Sequence, residues 1–393
     1  MENKYSVVIV GAGSVGMATG YYLAKTGIDV LLIDTHNPPH DKGSHHGETR
    51  LIRHAVGEGE EYVDLALKAQ ANWHQLEKES GKTLFIPTGT LMVGESDAQF
   101  IQETVKNAKT FGMELEEFTA EKIKKQWPGF ELPDHFKGYY EHTSGALLNE
   151  ECILAYRQQL LKYNTEILEN TKVNSLEFHE NGVGIKTAKE TFYAEQVIIT
   201  VGAWIGELLS SLKLPIQTVR KTLGWYSTDE LLYKYPFLPS FYFCYEGHKY
   251  YGFPDITGNG VKIGRNDSER NIVPDLLEQD FGKYDNDKQD LNKFVERFLP
   301  GLSGQLNYGR ACMITKTPDK HFIIDRHPEN NHVLIAGGFS GHGFKYASIL
   351  GEILSQIVID GESKYHIPDN FSISREPIKD HKVINFDNSY KTV

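Results

Sequence analysis

Cysteine is scarce. The 393 residues hold three, Cys152, Cys244 and Cys312, with no CxxC pair among them. That odd count and wide spacing fit neither a disulfide framework nor a thiolate zinc site, so each reads as a buried thiol. Positive charge is in deficit as well. With 41 Lys+Arg against 53 Asp+Glu the formal net charge is −12, and no sequence-wide positive field exists to draw in nucleic acid or an anionic bilayer. Long apolar runs are also missing: stretches such as Val7 to Val10 and Val197 to Ile199 fall far below the roughly 20 residues a membrane-spanning helix requires. The opening Met1 to Ser6 places Glu2 and Lys4 ahead of a short apolar run that lacks the length and the small-residue cleavage site of a secretory signal. A cytoplasmic location is therefore the expectation. No repeat of fixed period or low-complexity tract is visible, and 379–393 reads as a polar tail.

What is present is the composition of a soluble globular chain, 40% hydrophobic and 24% charged with 36 Gly and 15 Pro, which excludes disordered and fibrous classes. The length accommodates two or three domains, and a small-molecule partner fits the charge balance. Tyr5 to Val10 is rich in β-branched residues and too short for a helix, so it reads as a buried parallel strand ended by Gly11. Val15, Ala18, Tyr22 and Leu23 then recur at helical spacing, and Val30 to Ile33 stops at Asp34: a βαβ unit. Tyr62, Leu65, Ala66, Ala69, Trp73 and Leu76 share one helical face ahead of Gly81. Aromatic-rich stretches at 138–140 and 241–245 read as strands of a half-buried sheet, and Val197–Thr200 and Val333–Ala336 as further buried strands, each ending in glycine. The nucleotide-binding texture thus appears near 1–85, 150–215 and 320–365, so two domains should alternate along the chain.

Gly11-Ala12-Gly13-Ser14-Val15-Gly16 matches GxGxxG between a strand and a helix. The first glycine permits the tight turn, the second lets backbone approach a pyrophosphate, and the third allows close helix packing, while helix N-terminal amides attract phosphate. Asp34 can accept from a ribose hydroxyl. The motif leaves FAD and NAD both open. Shortly afterwards, Gly43 to His54 packs two arginines and three histidines into a dozen residues. If this segment were helical, Arg50 and Arg53 would share a face toward an anion or an electron-rich ring. A solvated basic turn is the competing reading, and a His-His metal site lacks the ligands to complete it.

Taken together, Gly11–Gly16, Gly43–His54, Tyr250–Pro254, Ala311–Cys312 and Gly338–Lys345 resemble the monomeric sarcosine oxidase and N-methyltryptophan oxidase family, flavin amine oxidases related to D-amino acid oxidase. The resemblance runs from about residue 5 to about 375. It implies an α/β fold in which a Rossmann-like FAD-binding domain (1–85, 150–215 and 320–385) is interleaved with a mixed-sheet, α+β substrate domain (86–149 and 216–319). It implies FAD carried covalently through Cys312, with Gly11 to Gly16, Asp34, Ser44, His45, Arg50, Val173, Gly341, Gly343 and Lys345 lining the cofactor. Arg53 and Lys345 would hold the substrate carboxylate, as two cations beside an anion suit, and Tyr251 would line the pocket. Lys262 would sit beside flavin N5, where a fixed positive charge favours reaction with O2, with Arg50 near the ring. Positive backbone ends in Gly337–Lys345 would suit the negative charge that reduction places on the ring.

The implied activity is oxidation of a secondary amino acid, such as an N-methyl amino acid, to an imine, with O2 reduced to H2O2. A small amine and O2 are the implied partners, with no nucleic acid, membrane or metal, and the family favours a monomer. Two positions depart from it: Asn266 stands where the family has histidine, and Ile314 where it has tyrosine. Val219-Arg220-Lys221 with Gly224-Trp225-Tyr226 leans to the N-methyltryptophan branch. A flavin dehydrogenase using another acceptor, a flavin-binding protein without turnover, and an NAD-dependent dehydrogenase are the competing readings.

Overall fold

A computed structural model describes residues 3–267, 270–277 and 279–379; beyond Lys379 the expected polar tail lies outside the described residues. Strand β1 (Lys4–Val10), helix α1 (Ser14–Lys25) and strand β2 (Val30–Ile33) form the opening βαβ unit, with β1 and β2 parallel and paired from Val7↔Val30 to Val10↔Ile33. β1 also pairs in parallel with Thr191–Ile199, which pairs with Asn330–Gly337, while β2 pairs with Glu166–Leu168. Antiparallel strands Val173–His179, Gly182–Thr187 and Ile323–His327 complete this eight-stranded sheet.

Alternation along its strands explains why both faces are covered. Val7, Ile9 and Leu32 point into one core with α1 and helices Val63–Ser80, Asn149–Lys162 and Ala347–Asp360. Val8, Val10, Leu31 and Ile33 point into another with Ile185, Phe192 and Ile205. A parallel strand buried on both sides must be apolar throughout, which is how β1 and β2 read. The helix Val63–Ser80 ends at Gly81, whose φ of +70° closes it in a left-handed conformation favourable to glycine.

A nine-stranded mixed sheet is built from 90–141 and 217–316. Its longest pairing joins Gln217–Tyr226 antiparallel to Leu306–Lys316. One face packs with helix Asp285–Phe298 in an aromatic core of Phe241, Phe243, Tyr250, Phe294 and Phe298. A three-stranded sheet of Thr49–Ile52, Gly145–Leu148 and Phe85–Ile86 completes the strands. The basic segment is therefore not helical: Thr49–Ile52 pairs antiparallel with Gly145–Leu148, so Arg50 and Arg53 do not meet through a helical i,i+3 relation. No described helix is long and apolar enough to cross a membrane.

Candidate active site

The three motif glycines have three different steric reasons. Gly11 has φ +97°, and a Cβ there would lie 2.6 Å from the Thr200 carbonyl oxygen. A Cβ on Gly16 would overlap the Gly11 carbonyl. At Gly13 the nearest group to such a Cβ is the His45 ring, at 3.7 Å, so this backbone is open toward the cavity. Gly13 caps α1 without a side-chain hydrogen bond, and the first turn carries no acidic residue. Its amides and dipole end are thus available to a phosphate.

Asp34, at the end of β2, accepts from the Ala12 amide at 2.7 Å and the His36 amide at 2.8 Å. Burial opposes its ionisation, but His40 and these two amides outweigh it and hold the carboxyl below its usual range. Gly11, Gly13, Ser14 and Asp34 line a cavity of about 1120 Å³, above the 300–1,000 Å³ typical of small-molecule sites and roomy enough for a dinucleotide with a small second ligand. Open glycine backbone, an uncapped helix and an ionised acid one strand away are what a dinucleotide requires, and these residues fit FAD.

The same cavity runs past Ser44, His45, Arg50, Val173 and Cys312. Ser44 Oγ donates to the Met313 carbonyl at 2.6 Å, tying the basic segment to the strand that carries Cys312. Arg50 donates to the carbonyls of Ser44, His46 and Thr49, which fixes its guanidinium beside the cavity. Burial pushes His45 down to about 3, so it is neutral. Cys312 is buried; burial pushes its thiol up while Arg50, Lys262, Lys221 and Arg220 pull it back toward the thiolate.

Arg53 and Lys345 converge on one carboxylate. Arg53 Nη2 donates to Glu58 Oε1 at 2.7 Å, and Lys345 Nζ lies 3.8 Å from the same oxygen. Burial resists the charge on Glu58, but Arg53, then Lys345, hold its carboxyl down at about 2. At Lys345 burial wins and lowers the ammonium to about 8, although Glu58 opposes this. The two shifts differ because the carboxylate faces two cations while Lys345 also faces Arg53. Glu58 Oε2 is buried without a hydrogen-bond partner, and Glu58 lines the cavity. Arg53 lies over the rings of Phe100 and Tyr242, at 4.8 and 5.1 Å. Tyr251 and Gly343 line this end too, as does Gly341, where a Cβ would lie 2.8 Å from Ile314 and 3.8 Å from the Asn266 amide oxygen. Asn266 Nδ2 donates to the Tyr242 hydroxyl at 3.0 Å.

Lys262 is placed differently from the others. It is 2% exposed on the interior strand Val261–Arg265 and donates to the Gly47 carbonyl at 2.5 Å and the Thr49 carbonyl at 2.7 Å. It backs the wall that Arg50 forms, since Thr49 O also accepts from Arg50, and does not itself line the cavity. Ala12, Val15 and Gly16 serve the turn: Val15 reaches the cavity, whereas the Ala12 amide faces Asp34.

Sequence reasoning missed several residues here. Glu58 sits among exposed-looking acids of Gly57–Glu61, and only its burial between two cations marks it. Tyr242 reads as a sheet aromatic. His46 is buried with neither ring nitrogen hydrogen-bonded, and burial lowers it to about 3; spacing alone offers no way to separate it from His45. No group of three or more His, Cys, Asp and Glu among the described residues is arranged to hold a metal.

Residues 6–357 match the family described as FAD dependent oxidoreductase. The chain is 43% identical over 387 residues to monomeric sarcosine oxidase of Bacillus sp. (strain NS-129), covering 98% of this chain and 100% of that one. It is 37% identical over 372 residues to N-methyl-L-tryptophan oxidase of Yersinia pestis (strain Pestoides F), covering 94% and 99%. Glycine oxidase from Geobacillus kaustophilus superposes with a TM-score of 0.79 at 18% identity, covering 95% and 99%, a likeness of fold.

Proposed function

Because the chain belongs to the FAD-dependent oxidoreductase family, in the branch of monomeric sarcosine oxidase and N-methyl-L-tryptophan oxidase, and is a flavin amine oxidase, we propose that it oxidises a secondary amino acid, such as an N-methyl amino acid, to an imine with O2 reduced to H2O2. One observation carries this reading: a single cavity joins a phosphate seat, a buried thiol and two cations that already share a carboxylate.

Bound FAD would supply the two-electron acceptor for the carbon beside the amine nitrogen. The amides at Gly13 and Ser14 would hold the pyrophosphate, Asp34 the ribose, and Cys312 Sγ would carry the cofactor covalently, with Ser44, His45, Val173, Gly341 and Gly343 around it. Arg50, fixed by three carbonyls, would set positive charge at the ring. Arg53 and Lys345 would orient the substrate carboxylate as they now share that of Glu58, which turns a bimolecular encounter into a positioned one. Tyr251, Tyr242 and Phe339, which all line the cavity, would wall off water. Lys262, which shares the Thr49 carbonyl with Arg50, would place a positive charge where O2 is reduced. Segments 1–85, 150–215 and 320–385 would form the cofactor-binding part and 86–149 with 216–319 the substrate part, in a cytoplasmic monomer.

Anaerobic addition of sarcosine, N-methyltryptophan, proline, D-amino acids and larger secondary amines to the purified yellow protein tests this directly. Rapid loss of flavin absorbance with at least one secondary amino acid is the expected result. A flavin that no amine bleaches would refute amine oxidation.

A further inference from the structure

Lys262 is held by a turn that is itself strained. The Thr49 amide donates to the Gly47 carbonyl at 2.9 Å, around Glu48, whose φ is +68°. A bond from residue i+2 back to residue i around a positive φ is the pattern of the strained γ-turn, which persists only where its surroundings fix it. Here two carboxylates do so. Glu150 Oε1 accepts from the Gly47 and Glu48 amides at 2.7 and 3.1 Å, and the Asn149 amide beside it donates to the Glu48 carbonyl at 3.1 Å. The Glu48 carboxylate accepts from Trp225 Nε1 at 2.9 Å, Thr257 Oγ1 at 3.2 Å, Asn259 Nδ2 at 2.7 Å and the Tyr308 hydroxyl at 3.1 Å.

One peptide unit links Glu150 to Lys262. It contains both the Gly47 carbonyl, which accepts from Lys262 Nζ at 2.5 Å, and the Glu48 amide, which donates to Glu150. Its N–H end faces the anion and its C=O end the cation, so each hydrogen bond polarises the peptide in favour of the other. Glu48 reaches Lys262 from a second side. Lys262, Trp225 and Tyr308 are lateral neighbours on three adjacent strands; Nζ lies 5.8 Å from the centre of the Trp225 ring, which stacks on Tyr308 at 4.6 Å, and both rings donate to Glu48. Burial, then Arg50, lowers the Lys262 ammonium well below its ordinary value, while Glu150, Glu48 and Cys312 oppose them. His46, lowered by burial to about 3, and Tyr308, raised by burial and by Glu48, each keep one charge state near neutral pH. Neither Glu48 nor Glu150 lines the cavity, so both act on its contents through other groups.

We infer that Glu48 and Glu150 are positioning residues for Lys262, holding the Gly47–Thr49 turn that seats its ammonium and supplying the negative charge that balances it where O2 is reduced; the inference rests on the role given to Lys262 above.

Glutamine at either position keeps the side chain's size and one acceptor oxygen while removing its charge. The flavin-loaded protein is reduced with stoichiometric dithionite, so that no amine is needed, and mixed with O2 in a stopped-flow instrument across a pH series. Reoxidation should slow as pH rises and Lys262 loses its proton. In Glu150→Gln that fall should move to lower pH by about one unit, so that above it the rate is about tenfold below wild type and in acid it recovers. Added to Lys262→Met, the same substitution should slow reoxidation little further. Glu48→Gln should move the profile in the same direction, and keeps the test open if Glu150→Gln does not fold. A profile that stays in place in both variants, while Lys262→Met is slow, overturns the inference and leaves Lys262 its role. Uniform slowing at every pH that adds to that of Lys262→Met also overturns it, as the mark of a merely structural change. Unimpaired reoxidation in Lys262→Met overturns both. Because dithionite replaces the amine, each result is independent of the amine-oxidation reading.

Discussion

At Lys345, burial lowers the ammonium to about 8 while Glu58 pulls the other way, so its charge changes within the working range of most enzymes. Below that value Lys345 is protonated and assists Arg53 in holding a carboxylate; above it the proton and that attraction are lost. KM for the amine substrate should therefore rise as pH passes through about 8, severalfold, and Lys345→Met should flatten the profile at the high-KM level. Lys262 poses a different question. Its buried Nζ donates to the carbonyls of Gly47 and Thr49, which also accept from the Thr49 amide and from Arg50, so Lys262→Met removes two hydrogen bonds without orphaning either carbonyl and should cost about 0.5–1.5 kcal/mol for each bond. If Lys262 also serves O2, stopped-flow traces of that variant should show flavin reoxidation slowed far more than flavin reduction; equal slowing would assign the residue to structure alone. The sequence made Arg50, Arg53, Cys312 and Lys345 visible as types in a pattern. It could not show Glu58 between Arg53 and Lys345, because burial of an acid among acids of Gly57–Glu61 leaves no mark in composition.

Elements carry the site by fitting closely at a few glycines. Helix Ala347–Asp360 approaches α1 so nearly that a Cβ on Gly351 would lie 2.5 Å from that of Ala18. Gly351→Leu should wedge the helices apart at a cost of about 1–3 kcal/mol, read as a lowered Tm, and should weaken flavin retention because α1 presents the phosphate seat. β1, α1, β2 and the helix before Gly81 were legible because their apolar periods are long and end in glycine or acid. Glu166–Leu168 was not, being three residues long with no fully buried position. The basic segment was open to a helical reading because a strand of four residues shows no clear alternation, and pairing with Gly145–Leu148 decided it.

At the scale of the molecule, residues far apart in sequence meet at one cavity between the sheets, so a tightly held cofactor should act as a brace. Cys312→Ala should release its flavin into the supernatant on acid precipitation, and the stripped variant should unfold at a lower temperature than the reloaded one; flavin that stays with the pellet would rule out attachment at Cys312. The sequence shows three returns of strand-glycine-helix texture. The cavity was not legible in it, since its walls come from side chains whose neighbours are set by strand order, as the hydrogen bond from Ser44 to Met313, 269 positions along the chain, illustrates. The strand Leu306–Lys316 has one more consequence, for how such an enzyme can diverge. With Cys312, Ile314 and Lys316 at alternate positions, point substitutions at the second and third can retune what is accepted while the first keeps its place. An insertion or deletion of one residue between them would turn the outer position to the opposite face, so lineages built on this strand should vary it in spelling and conserve it in length.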